Sequence, residues 1–509
     1  MNWTNRGVEF VEVYKELILN LVSAHTCYLR PVLKMLIQIF LKASLRTGEG
    51  KVEISTVTVE EQKMFDRAHV LLQEIINLVP LTPNILFPLL ADSFPYMRKD
   101  PCSQVSYVKN ILRMCGYLSV HRQKILGLLI DKVLNIDVHC PKDKIEEAEE
   151  EDHMDTENVF LMETDEQSPS SLSMNDPLAN TLDIMMEDIF HFIDCVCGIQ
   201  DGNKELNWET TKQLYKDFLV IFDKMILPTH ASVHVQFILF YLCSLHPMIS
   251  DGFLDYLWKK VQNPNTPSVI RQASACYIGS LLARATYISL STVTACFDLM
   301  CGWIHSYIEN LTGSSRLIVD TCLHGTFYAV CQAIFYVFAF RHKELIEMKN
   351  GLKYLRGLNL ERIVTCRLNP LKVCMSAVVR NFANVARNYQ LVYCYTIIER
   401  NNRSLIPVAA SQVSGITQSV SFSKMETFFP FDPYLLKRSR KWITSLFRVY
   451  DGQVEENQSE HEEEDDFLTE NISPSSTAVG VTPSSLSELM SYGISPGFKQ
   501  ILSPKQRIS

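Results

Sequence analysis

Over most of its length the chain repeats one pattern: apolar residues three and four apart, interrupted by short breaks rich in Pro, Asn, Gly or Ser. That period fits one face of an α-helix and not a strand. VEVYKELILNLVSAHTCYLRPVLKMLIQIF, RAHVLLQEIINLV and YVKNILRMCGYLSVHRQKILGLLIDKVLNI carry it in residues 1–140, and LANTLDIMMEDIFHFIDCVCGI through LVYCYTIIERNNR carry it in residues 179–450. Strand-like alternation is nearly absent. The chain is therefore expected to be all-α, a HEAT-repeat-type α-solenoid in which each helix buries its apolar stripe on its neighbours. Such an array grows without splitting into separate cores, so 509 residues need not form several compact domains.

NPNTPSVIRQASACYIGSLLARA, residues 263–285, makes the repeat type specific. Pro267 precedes Ile270, Arg271, Ser274, Ile278 and Gly279 at the offsets of the second helix of a HEAT repeat. Proline is tolerated in a first helical turn. Ser274 and Gly279 allow a neighbouring helix to approach closely, and Arg271 has the reach to hold carboxylates or carbonyls of an adjacent repeat. No second copy matches as cleanly.

The formal charge of −9 misdescribes the body of the chain. Residues 146–166 hold 11 acids and residues 455–470 hold nine, with no Lys or Arg in either stretch. Elsewhere 48 basic residues face 37 acids, so a mildly basic body carries two acidic tethers. They would shield the body from indiscriminate polyanion binding, dock on a basic partner, or only keep the protein soluble. Residues 141–178 are expected to be an acidic disordered loop between the two helical arrays, and 451–509 a disordered acidic and Ser/Pro-rich tail.

Fifteen scattered cysteines, many inside apolar helical runs such as FYLCSL and YAVCQAIFY, read as buried reduced thiols of an intracellular protein rather than as a disulfide framework. The first residues, MNWTNRGVEFVEVYKE, show no basic-then-apolar leader, and no uninterrupted apolar run reaches the roughly 18 residues of a membrane span. FYAVCQAIFYVFAF is expected to be a buried helix, and no membrane partner is implied.

Signals of chemistry are weak. His230 and His234 stand four apart, the spacing of half a zinc site, but Ala231 and Ser232 follow His230 where a hydrolytic motif needs its glutamate, and no third ligand is signalled. His191, Cys195 and Cys197 form a CxC without a second pair. There is no phosphate-cradling GxxxxGK[ST], no GxGxxG and no nucleophile elbow. The expectation is a non-enzymatic protein with no catalytic residues, cofactor or metal.

Two features point to regulation and partners. Lys437, Arg438, Arg440 and Lys441, in KRSRK, form a compact basic cluster that suits nuclear import or a phosphate-backbone contact; the plainer reading is a solvated helix end. Ser473, Thr482, Ser495 and Ser503 each precede proline in the tail, Ser459 is followed by Glu460 and Glu462, and Thr82 precedes Pro83 in an inter-helix turn. All six are candidate phosphosites, each phosphate adding nearly two negative charges; for any one of them the plainer reading is a turn residue. Arg271, Arg284, His324, Arg341 and His342 are candidate partner contacts or inter-repeat braces, with bracing favoured for Arg271.

LPTHASVHVQFILFYLCS, NPNTPSVIRQASACYIGSLLARATYI, LHGTFYAVCQAIFYVFAFRHKEL, LNPLKVC, YTIIERNNR and FFPFDPYLLKRS, in that order, closely resemble the RNA polymerase I-specific transcription initiation factor family. The resemblance runs from near residue 10 to about residue 450. It implies a HEAT-repeat factor of the nucleus and nucleolus that binds RNA polymerase I near its stalk and bridges it to the promoter-bound selectivity factor for ribosomal RNA synthesis. It also implies control by phosphorylation. The family has further helices upstream, so the chain is expected to lack the family's N-terminal part. A HEAT-repeat nuclear transport or scaffold adaptor is the alternative reading; direct DNA binding and a homodimer stay open.

Overall fold

The computed structural model describes residues 3–41, 58–97, 101–156, 172–199, 206–230, 232–311, 321–403 and 429–450. The first array comprises α1 (Val8–Ala24), α2 (Leu29–Phe40), α3 (Val59–Leu78), α4 (Thr82–Asp92), α5 (Pro101–Tyr117), α6 (Arg122–His139) and α7 (Lys142–Thr156). The second comprises α8 (Pro177–Cys197), α9 (Trp208–Ile221), α10 (Phe237–Ser244), α11 (Pro247–Gln262), α12 (Ser268–Arg284), α13 (Leu290–Leu311) and α14 (Thr321–Glu347). A terminal group follows: α15 (Gly351–Gly357), α16 (Leu360–Val364), α17 (Pro370–Val373), α18 (Ser376–Asn388) and α19 (Tyr395–Arg403). Among the described residues the only strand-like feature is a single bridge between Ala285 and Phe447.

Local chemistry sets these boundaries. Thr58 and Glu61 close a reciprocal capping box at the start of α3, the Thr58 hydroxyl accepting from the Glu61 N–H at 3.2 Å and the Glu61 carboxylate accepting from the Thr58 N–H at 2.8 Å. Asp176 caps α8, Pro177 opens it, and Gly198 ends it at φ 79°, a left-handed conformation that glycine adopts without penalty.

Packing runs mainly between helices one to three apart in the chain: α1 on α3, α2 on α4, α5 on α6 and α8, α6 on α9, α11 on α12, and α12 on α14. That near-neighbour pattern is the signature of a solenoid. α12 and α14 approach closely: a Cβ built on Gly279 would lie 2.8 Å from the Cβ of Ala333. Ser274 turns its hydroxyl back onto the Ile270 carbonyl at 2.8 Å, which keeps its polar atom satisfied inside the contact.

α14, which holds FYAVCQAIFYVFAF, is long and apolar enough to cross a membrane by composition alone, but 89% of its most apolar window is buried by the rest of the array. Among the described residues, which include all fifteen cysteines, no disulfide forms. The outer face of α1 exposes Phe10, Val13 and Leu17.

One boundary differs from the sequence reading of 141–178 as an acidic disordered loop. Lys142–Thr156 is helical and carries the first part of the acidic run. Charge density alone disfavours it, but three anchors hold it: Ile145 is buried, Lys142 lies 3.5 Å from Asp432, and Glu149 pairs with Lys437. Both of the latter partners come from the far C-terminal segment, invisible to a local reading of composition.

Candidate functional site

Residues 429–450 form a strap, not a helix. Pro430 and Pro433 forbid a continuous helical ladder, and only 3₁₀ turns form, at Ser439–Trp442 and Thr444–Leu446. An extended segment leaves backbone groups to be satisfied by whatever it lies on. Gln236 donates to the Pro430 carbonyl at 2.7 Å and the Phe431 N–H donates to the Ser280 hydroxyl at 3.0 Å. Farther along, the Thr286 N–H donates to the Leu446 carbonyl at 3.0 Å and the Arg448 N–H to the Arg284 carbonyl at 2.6 Å. The aromatic side chains fill the seam: Phe431 is fully buried, with ring centroids of Phe240, Phe237 and Tyr277 at 5.0, 5.5 and 5.6 Å. A buried aromatic of this kind contributes about 1.5–3 kcal/mol through desolvation alone.

The basic cluster lies on α8. Asp183, Glu187 and Asp194, at i, i+4 and i+11, fall on one stripe of that helix. Asp183 is fully buried and accepts three bonds: from the Arg438 N–H at 2.7 Å, the Ser439 N–H at 2.9 Å and the Ser439 hydroxyl at 2.5 Å. Burial pushes its carboxyl above the usual range, against the pull of those donors. Lys441 pairs with Glu187 at 2.8 Å, the Trp442 indole donates to Asp194 at 2.7 Å, and its ring stacks on Phe190 at 5.5 Å. Lys437 reaches Glu149, while the Arg440 side chain is exposed. Lys437 and Lys441 are thus ion-paired within the molecule while Arg440 and Lys441 stay exposed, so the cluster is a partly exposed 3₁₀ turn lying on α8 and not a helix end.

Of the candidate contact residues, Arg284, His324 and Arg341 are buried and Arg271 and His342 are half-buried. Arg271 donates to the Val261 carbonyl at 2.8 Å, tying α12 to the end of α11. Arg341 is buried and donates to the carbonyls of Leu282 (3.3 Å), Ala285 (3.3 Å) and Ile288 (3.1 Å), satisfying backbone groups at the C-terminus of α12 and in the loop that follows it. Arg284, also buried, stacks over Phe340 at 4.6 Å and Phe447 at 5.1 Å, with Asp432 at 3.8 Å. His324 is buried at a kink in α14 and bonds Tyr307 at 2.8 Å. His342 is half-buried against the Ala339 carbonyl at 3.0 Å, and burial lowers its pKa. As partner contacts, Arg284, His324 and Arg341 are corrected: their burial removes them from any docking surface.

Thr82 is likewise corrected as a phosphosite. It is wholly buried as the first residue of α4 and donates to the Val79 carbonyl at 2.6 Å, so a kinase has no access to its hydroxyl in this fold. Ser459, Ser473, Thr482, Ser495 and Ser503 lie outside the described residues. His234 sits not on a helix shared with His230 but in the turn before α10, buried against Asp137. Asp137, from α6, accepts from the backbone N–H groups of Val233, His234 and Val235 at 2.9–3.0 Å and meets the His234 ring at 2.9 Å. His191 meets the edge of Trp442, Cys197 is buried and Cys195 is exposed. Among the described residues no group of three or more His, Cys, Asp or Glu side chains is placed to hold a metal. A cleft of about 340 Å³ between α11, α12 and α13 is lined by Leu254, Trp258, Ile278 and Met300, with the exposed carboxylates of Asp251 and Asp255 beside them. The chemistry of these groups is that of a scaffold held by buried polar braces.

The profile of the family described as RNA polymerase I specific transcription initiation factor RRN3 matches residues 1–455. The chain belongs to that family. It is similar to the mouse RNA polymerase I-specific transcription initiation factor RRN3, with 42% identity over 95% of this chain and 78% of the mouse protein. The fission yeast factor rrn3 of Schizosaccharomyces pombe is 27% identical over 92% of the chain and 78% of its own length. A crystal structure of RNA polymerase I transcription initiation factor Rrn3 aligns with a TM-score of 0.68 at 21% identity, covering 88% of this chain and 83% of that one, and shows the same all-helical fold. The relatives are named as transcription initiation factors, a non-enzymatic role.

Within this family member, sequence reasoning missed the strap's anchors, Asp183 and Asp194, and the Asp137 brace of the turn before α10. One signal was present: FFPFDPYLL is apolar without helical period and broken by two prolines, the mark of a buried extended segment.

Proposed function

We propose that the chain is a transcription initiation factor that binds RNA polymerase I near its stalk and bridges it to promoter-bound selectivity factor subunits, in the nucleus and nucleolus. The observation that carries this reading is the family match across residues 1–455, which spans both helical arrays and the strap. The geometry is compatible with it: a rigid helical body whose interior is closed by its own polar braces offers only its outer faces to other proteins.

Regulation belongs to the tail. Ser495 and Ser503 precede proline at positions where added phosphate would alter a dock through charge. Recovery of polymerase I stalk subunits in a pull-down from nuclear extract is the expected result. Recovery of nuclear pore proteins or a small nuclear GTPase instead would replace this reading by that of a transport adaptor. Aspartate at Ser495 and Ser503 is expected to change polymerase affinity; identical binding before and after phosphatase treatment would leave the tail without a regulatory part.

A further inference from the structure

The terminal helices α15–α19 carry a strong excess of positive charge. Residues 349–403 contain ten Lys and Arg against two acids. Lys353, Arg356, Arg367, Arg380 and Arg387 are exposed. Lys353 and Arg356 are three apart on α15, and Arg380 and Arg387 are seven apart on α18, so each pair shares a helix face. Ion pairs in this group include Arg362 with Glu309 and Arg403 with Glu399, while Arg387 lies over the Tyr395 ring at 5.3 Å. Among the described residues no carboxylate pairs with Lys353, Arg356, Arg367 or Arg380.

The described chain leaves the molecule beside this surface. Tyr450 packs on Phe340 at 4.8 Å, and Arg448 pairs with Glu344, one turn from the end of α14. On the same turn of α14 the His342 ring lies 6.1 Å from Tyr389, immediately after α18, and α15 packs on α14 as well. Glu455, the first acid of the tail's nine-carboxylate run at 455–470, follows Tyr450 by five residues. Five residues span at most about 17 Å, more than the roughly 10 Å from Phe340 along α14 to its last residue, Glu347, at 1.5 Å of rise per residue.

We propose that α15–α19 are a docking surface for an acidic peptide and that its occupant is residues 455–470 of this same chain. Charge complementarity and the short tether support that occupant together: a short linker holds the acidic run at an effective concentration in the millimolar range. Single exposed pairs are worth little and are screened by salt, so the contact depends on many charges acting together and is reversible. A nucleic-acid backbone has the same sign and competes for the same cations, and the tether gives the tail the advantage until it is displaced.

Carbodiimide cross-linking of the full chain with peptide mass spectrometry tests this directly. Amide links are expected between carboxylates of 455–470 and the amines of Lys349, Lys353 or Lys372. They should vanish in about 1 M salt, where the screening length falls to about 3 Å, while the link between Glu149 and Lys437 persists as the internal control. A second arm uses the full chain with the nine carboxylates replaced by Gln or Asn. It should elute from a cation-exchange resin at higher salt than the native chain, and adding Lys353→Glu, Arg356→Glu, Arg367→Glu and Arg380→Glu should abolish that difference. Links to lysines elsewhere, no links, or co-elution of the native and neutralised chains overturn the proposal. So does unchanged affinity for duplex DNA after neutralisation, which would make the surface an open nucleic-acid site.

Discussion

The strap and the terminal helices are both basic, and they use their charge in opposite ways. KRSRK is the denser cluster in sequence, yet Lys437 and Lys441 meet Glu149 and Glu187 and the backbone of Arg438 and Ser439 is bound by Asp183. The cations of 349–403 are spread over five helices, yet the exposed Lys353, Arg356, Arg367 and Arg380 meet no carboxylate among the described residues. Local density of charge therefore does not decide which cluster is available to a partner. What decides it is whether the fold delivers counter-charges, and for the strap they arrive from a helix about 250 residues earlier, as in the Lys441–Glu187 pair.

The largest expected effect separates the two regions by stability. Phe431→Ala empties a fully enclosed aromatic site and should cost about 3–5 kcal/mol in urea unfolding; a cost below about 1 kcal/mol would mean that the strap rests on the array without contributing to its core. Ser439→Ala comes next. It removes one of three donors to the buried Asp183 carboxyl, and a loss of about 1–3 kcal/mol is expected from the same measurement.

An acid on α8 sharpens the contrast between answered and unanswered charge. Asp188 is largely buried, with Lys109 at 3.7 Å, and desolvation outweighs that lysine, pushing the carboxyl up to about 7. A carboxyl raised in the folded state favours folding below its ordinary pKa and loses that contribution as pH rises through about 7. Native stability relative to Asp188→Asn should therefore fall between pH 4 and pH 7; parallel pH profiles for the two chains would show that the carboxyl is not held in this environment. The smallest effect compares the two basic regions directly. Lys437→Gln with Lys441→Gln should lower stability by about 0.5–1 kcal/mol, whereas Lys353→Gln with Arg356→Gln should stay within about 0.5 kcal/mol of native. Equal losses would erase the distinction.

The all-helical architecture was legible because helical period survives through both arrays, and α12 was legible in detail: Pro267, Ser274 and Gly279 occupy the packing roles their offsets imply, while Arg271 reaches the carbonyl of Val261 in the preceding helix. For Arg284, His324 and Arg341 the sequence left partner contact and brace open, because a charged or polar side chain carries no local mark of burial; the array places them as braces, with partners from other helices and the strap. Thr82 failed for a related reason. An inter-helix turn is usually accessible, but this one turns its hydroxyl inward onto Val79. The acidic helix α7 was hidden for the same reason as the strap: Lys437 and Asp432, which hold it, lie almost 300 residues away in sequence.

Amide hydrogen exchange along 429–450 tests most directly whether the strap is part of the folded array. The N–H groups of Phe431, Arg438 and Ser439 should be protected to the level of the α12 core, because each donates to a buried acceptor. Exchange at these amides at the rate of an open loop, with α12 still protected, would contradict it.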